Sequence, residues 1–207
     1  MPPTNPARRQ ALTDAAIELL ASSGAHGLTH RAVEKQADLP PGTASNYFRS
    51  REALLIAAAE RIAELHHADT DRATDRATDR ATDGSAGQPT TLADLWTESL
   101  LTAATTLRTR YLAIFELQLE ATRRPALASA LADLQDTSSQ ITAAHHDKLG
   151  LTIAREKIPA LIALYGGALF TLVTAPPDSV TRDLVRHMAQ AMVHGCATPR
   201  HPAEGER

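Results

Sequence analysis

The stretch THRAVEKQADLPPGTASNYFRSREALL, residues 29–55, decides the fold. Thr29 stands where a helix can begin, because its hydroxyl can accept an orphan N–H of the first turn. Val33 and Ala37 follow four residues apart, and that spacing predicts a short helix over 30–37. Asp38-Leu39-Pro40 breaks the pattern. Pro41 suits the first position of a third helix, where its missing N–H is no loss. That helix runs through Gly42-Thr43-Ala44-Ser45-Asn46-Tyr47-Phe48 and presents Thr, Ser, Asn and Tyr, an unusual surface for a helix that only packs. A fourth helix starts near Ser50, with Glu52 in its first turn. Leu54, Leu55, Ala58, Ile62 and Leu65 form its apolar stripe.

Before this stretch, residues 8–23 predict an amphipathic helix, with Leu12, Ala16, Leu19 and Leu20 on one face and Ile17 on its edge. Gly24 is a natural stop, since it accepts a left-handed backbone at no steric cost. After it, Ala-Thr-Asp-Arg recurs from Ala73 to Arg80, and no large aliphatic residue occurs between Leu65 and Leu92. A period of four aligns Asp71, Asp75 and Asp79, which is mildly repulsive on a helix, and the Arg72–Asp75 and Arg76–Asp79 pairs offset part of this. The repeat reads as a solvated extension of the fourth helix, fraying into a linker at 84–89.

Further helices follow. Residues 91–107 carry Leu92, Leu95, Trp96, Leu100 and Leu107. Residues 115–120 alternate like a strand, but the Tyr111, Phe115, Leu119 spacing favours a helix over 109–123. Pro125 opens one over 125–148. Residues 155–175 are the most apolar segment, ended by Pro176-Pro177. Ser179 is placed to cap a last helix that stops at Gly195. The expectation is an all-α chain of about nine helices.

Composition agrees. Aromatics are 3% of a chain whose hydrophobic share is 43%, which favours helices packed through aliphatic side chains. One cysteine, Cys196, excludes an intrachain disulfide and a Cys-rich zinc site. No apolar run approaches the ~20 residues of a membrane span, and the first residues do not resemble a signal peptide. A cytoplasmic protein without membrane contact is expected. The formal net charge is −3. Over residues 1–52, six basic side chains against five acidic ones leave +1, so bulk charge says little about nucleic acid. No Gly-rich phosphate loop, nucleophile motif or metal-spaced cluster occurs. The adjacent pairs His66-His67 and His145-His146 point to different sides of a helix. Neither an enzyme nor a cofactor or metal is expected.

Three short helices with a four-residue break between the second and third have the geometry of a helix-turn-helix. Its third helix would lie in a DNA major groove. Thr43, Ser45 and Asn46 can read base edges, and Tyr47 and Arg51 can reach phosphates. Thr29, His30 and Arg31 sit at a helix N-terminus, which favours a phosphate. On spacing alone, a plain helical hairpin with a polar surface is an equal alternative.

Residues 8–67 also resemble the DNA-binding domain of the TetR (tetracycline-repressor-like) family. The similarity rests on Ala15-Ala16-Ile17-Glu18-Leu19, Gly27-Leu28-Thr29-His30-Arg31-Ala32-Val33, Gly42-Thr43 and Tyr47-Phe48-Arg49-Ser50-Arg51-Glu52-Ala53-Leu54-Leu55. Arg51 stands where the family usually has Lys, Asp38 where it has Gly, and Pro40 where a Ser hydroxyl caps the recognition helix. An aromatic is common at the place of Ser45. The resemblance implies a DNA-binding domain over 7–67, the repeat and linker over 68–90, and a helical ligand-binding and dimerisation domain over 91–197. It implies a homodimeric repressor that leaves a pseudo-palindromic operator on double-stranded DNA when a small-molecule effector binds. A ligand-independent regulator or an activator of the same family, and a helical adaptor that binds no DNA, are the alternatives. Candidate pocket residues are Trp96, Tyr111, Phe115, Glu116, Gln118, His145 and Tyr165. Candidate dimer residues are Gly166, Gly167, Leu169, Leu184, Met188 and Met192.

Overall fold

Asn5 accepts the Arg8 N–H at 3.2 Å and Pro6 follows in the first turn, so the first helix starts on a side-chain cap and a proline. The computed structural model describes residues 5–82, 91–132 and 158–196. Every regular element among these residues is a helix. They are α1 (Pro6–Gly27), α2 (His30–Gln36), α3 (Thr43–Tyr47), α4 (Arg51–Thr82), α5 (Leu92–Ala104), α6 (Arg108–Ala121), α7 (from residue 125, followed to 132), α8 (Ile158–Thr174) and α9 (Arg182–Cys196). The expected linker at 84–89 and the later turns of the 125–148 helix, with His145, lie outside the described residues.

These helices form two compact units: α1–α4 with α6 and α7, and α5 with α8 and α9. In the first, Leu12, Leu20, Leu28, Val33, Phe48, Leu54, Leu55, Leu117 and Leu127 belong to one buried cluster. Each such leucine stabilises by roughly 1.5–3 kcal/mol. Sequence order groups α6 with the C-terminal helices, yet its Ala113 and Leu117 are buried in this N-terminal core, against α1 and α4. α4 continues through the Ala-Thr-Asp-Arg repeat to Thr82. Its 32 residues span about 48 Å at ~1.5 Å each. No helix among the described residues is long and apolar enough to cross a membrane.

Gly24 breaks α1 with φ 66° and ψ −179°, and one more turn reaches Gly27. Between α2 and α3, the Thr43 N–H donates to the Pro40 carbonyl at 3.1 Å, closing a turn whose third residue, Gly42, has φ 86°. The third helix therefore begins at Thr43, later than Pro41 suggests. Pro41 serves the turn, and the left-handed Gly42 stands between it and the helix.

Asp38 has φ 52°. A side chain in the left-handed region costs about 1 kcal/mol, a cost glycine would avoid. Asp38→Gly is expected to raise stability by roughly 0.5–1 kcal/mol in urea denaturation. A lower midpoint would show that Asp38 stabilises by other means.

In the second unit, Thr91 and Asp94 form a capping box at the start of α5. The Thr91 hydroxyl accepts the Asp94 N–H, and the Asp94 carboxylate accepts the Thr91 N–H, both at 3.1 Å. The Thr91 hydroxyl, 2.7 Å from the same carboxylate oxygen, and the Thr91 N–H hold the Asp94 carboxyl below its ordinary range. Trp96, Leu100, Leu161, Leu172, Val173 and Val185 are buried, and Glu98 pairs with Arg182 between α5 and α9. Ser179 does not cap the last helix. It closes a 3-10 turn, and its hydroxyl donates back to the Pro176 carbonyl at 2.7 Å. The Thr181 hydroxyl accepts the Leu184 N–H at 3.3 Å and caps α9 instead.

Candidate nucleic-acid interface

α3 has only five residues, and its N-cap, Gly42, has no side chain to offer. The cap comes from α2. Glu34 is 5% exposed, and its Oε1 accepts the buried Ala44 N–H at 2.8 Å. Thus a carboxylate replaces the hydroxyl that Pro40 lacks. Sequence reasoning missed Glu34. The signal was there: a helix start without a capping side chain leaves an N–H that must be satisfied from elsewhere. Ala44 and Phe48 turn inward and fix α3 to the core. Thr29 caps α2 as expected, accepting the Ala32 N–H at 3.1 Å.

Ser45 and Asn46 are exposed on α3, and Arg31 is exposed on α2. Two further exposed cations, Lys35 and Arg49, flank the same helices and were not among the expected contacts. The other expected residues turn inward or along the surface. The His30 Nε2 lies 2.7 Å from the Phe48 carbonyl. A carbonyl only accepts, so that nitrogen carries the proton. The Thr43 hydroxyl donates to the Pro40 carbonyl at 2.6 Å, and the Tyr47 hydroxyl to the Asn5 carbonyl at 3.3 Å. The Arg51 guanidinium faces the protein: Nε donates to the Leu28 carbonyl at 3.1 Å and Nη2 to the Ala25 carbonyl. Its Nη1 lies 3.8 Å from Glu120 of α6.

The expected pocket residues divide between the units. In the first, the Tyr111 hydroxyl lies 3.3 Å from His66 Nε2, and Phe115 is half-buried. The Glu116 carboxylate accepts the Ala25 N–H at 2.9 Å. Gln118 is exposed and lines a surface groove of about 320 Å³ with Ala121, Thr122, Ala128, Leu131 and Ala132. In the second unit, Trp96 and Tyr165 meet edge to face, with ring centroids 6.0 Å apart. The Tyr165 hydroxyl lies 2.6 Å from the Ser99 hydroxyl, and burial pushes the phenol above its ordinary range. Among the described residues, no group of three His, Cys, Asp or Glu side chains could hold a metal ion.

On α8 and α9, Gly166, Gly167 and Leu184 are exposed and Met188 is half-buried, whereas Leu169 and Met192 are buried within the unit. Ile162 and Phe170, also exposed, share the Gly166 face at four-residue spacing and were missed. A Cβ added at Gly166 or Gly167 would meet nothing within 4 Å.

Comparison with known proteins places this geometry. Residues 12–58 match the family of bacterial regulatory proteins named for tetR, and residues 87–195 match the tetracyclin repressor-like C-terminal domain. An uncharacterised HTH-type transcriptional regulator from the dhlA 5′ region of Xanthobacter autotrophicus is 42% identical over 55 residues. That match spans 27% of this chain and 27% of that protein. The multidrug binding protein EbrR, in its complex with imidazole, is 27% identical, with a TM-score of 0.58 over 94% of this chain and 98% of its own. A TetR-family member from Streptomyces coelicolor A3 is 30% identical, with a TM-score of 0.57 over 89% of this chain and 97% of its own. The two matched domains together cover more than half of the chain, and it belongs to the TetR family of DNA-binding transcriptional regulators.

Proposed function

We propose that the protein is a homodimeric repressor that leaves a pseudo-palindromic operator when a small molecule binds. The observation that carries the DNA contact is α3 itself. Ala44 and Phe48 anchor it, and the exposed Ser45 and Asn46 remain for base edges. Asn can pair with adenine through two hydrogen bonds. Arg31, Lys35 and Arg49 are the phosphate contacts in this reading, because they are exposed and no protein group among the described residues engages them. The dimer reading is supported by the apolar stripe Ile162, Gly166 and Phe170 on α8, with Leu184 on α9. Release by ligand is supported by the likeness to EbrR, seen with imidazole and with ethidium. In this reading the aromatic pair Trp96–Tyr165, within the second unit, is the lining for such a molecule.

Footprinting on duplexes selected from a random pool tests this. Two protected half-sites about 34–36 Å apart are expected, as for a dimer on successive turns. Asn46→Ala is expected to change the preferred base at its position, by about 1–3 kcal/mol of discrimination. Arg31→Ala and Arg49→Ala are expected to weaken all sequences alike and to lower the salt slope by about one each. A single protected half-site would remove the dimer. Unchanged preference in Asn46→Ala would remove its base contact.

A further inference from the structure

α6 and the first residue of α4 between them hold both ends of one residue at the α1–α2 junction. Glu116 accepts the Ala25 N–H at 2.9 Å, while Arg51 donates to the Ala25 and Leu28 carbonyls. Arg51 itself is drawn to α6 by Glu120, which is buried. Glu120 is further fixed by Arg124 at 2.8 Å and Arg123 at 3.4 Å. These arginines, Arg124 foremost, hold its carboxyl below the usual carboxylate range. The approach is close: a Cβ on Gly24 would come within 3.2 Å of the Glu116 carboxylate. Gly24 thus answers two demands, a positive φ and room for Glu116.

We infer that Arg51 is a positioning residue for DNA binding, not a phosphate contact, and that α6 sets the α1–α2 turn, Glu116 directly and Glu120 through Arg51. The inference rests on DNA binding by α3. The turn leads directly into α2, which caps α3 through Glu34. A shift of α6 would therefore move the turn, α2 and α3 in sequence. The bridge also accounts for arginine at position 51. The planar, forked guanidinium reaches the two carbonyls through Nε and Nη2 while Nη1 faces the carboxylate, whereas an ammonium presents its donors from a single nitrogen.

That difference supplies the test. Arg51→Lys keeps the charge and removes the fork. Binding to the duplex selected by the wild-type protein is measured across a salt series for Arg51→Lys, Arg51→Ala, Glu120→Gln and the Arg51→Lys/Glu120→Gln pair. Arg51→Lys is expected to lose about tenfold or more in affinity, nearly as much as Arg51→Ala, with the wild-type salt slope. Glu120→Gln is expected to weaken binding although it removes a negative charge, and the two losses should not add. Amide exchange over residues 24–29, measured without DNA, should rise in all three single variants, which separates this inference from any failure to find an operator. Wild-type affinity in Arg51→Lys would overturn it. So would a slope lowered by about 0.9 in Arg51→Ala, the mark of one lost phosphate contact, or tighter binding by Glu120→Gln. Unchanged exchange over residues 24–29 would also overturn it.

Discussion

Glu34→Ala is expected to destabilise the DNA-binding unit by about 1–3 kcal/mol and to abolish selective DNA binding. The energy follows from the Ala44 N–H, which lies buried with Glu34 Oε1 as its acceptor at 2.8 Å. Alanine leaves that donor dry and unpaired, and it also leaves a void where the side chain lay. A five-residue helix has almost no intrinsic stability, since nucleation consumes most of what its few bonds supply. The loss therefore falls on α3 before the rest of the core. Glu34→Gln keeps a carbonyl oxygen in reach and should stay close to the wild type. Urea denaturation and DNA titration check both variants. Equal stability of Glu34→Ala and wild type would mean that the α3 start is satisfied without a cap.

Acidification from pH 7 to pH 4 is expected to remove about 3 kcal/mol of stability through His66 alone. His66 Nδ1 lies 3.2 Å from the Ile62 carbonyl, so Nδ1 carries the proton and Nε2 accepts from the Tyr111 hydroxyl at 3.3 Å. The Tyr111 ring stands edge-on at 5.4 Å. Burial foremost, with Arg110 and His67 and against Asp69, lowers the His66 pKa to about 4. The folded pKa is thus below the unfolded value near 6.5. Between these two values the unfolded chain binds a proton that the folded chain refuses. Stability is intact above pH 6.5 and falls by ~1.4 kcal/mol per pH unit towards pH 4. His66→Gln lacks this titration, so its stability should decline more gently over that window. Parallel curves for the two proteins would exclude His66 as the source.

The helices and the helix-turn-helix are legible in the sequence because their causes are local. Apolar spacing, the Thr29 cap, Gly24 and the proline pair all act within a few residues of where they stand. The side-chain destinations are not legible, because they depend on partners far along the chain. Arg51 reads as a surface cation until α6 supplies Glu120, 69 positions later in the numbering. Glu116 reads as a polar group in a pocket until the broken end of α1 supplies the Ala25 N–H. Sequence gives helix periodicity but not which face is covered within the unit: Leu169 and Met192 are buried there, while Ile162 and Phe170 are exposed.

The alternation along α3 also bears on how such a regulator can diverge. Ala44 and Phe48 bind the helix to its core, and Glu34 secures its start, while Ser45 and Asn46 are exposed and carry no side-chain hydrogen bond or ion pair among the described residues. If the proposed contacts hold, stability and readout fall on separate positions. Exchanges at 45 and 46 are therefore almost free of folding penalty, as surface changes away from packed features generally are. Duplicated copies of such a gene could drift to new DNA sequences by changing two side chains, with no compensating change elsewhere in the molecule.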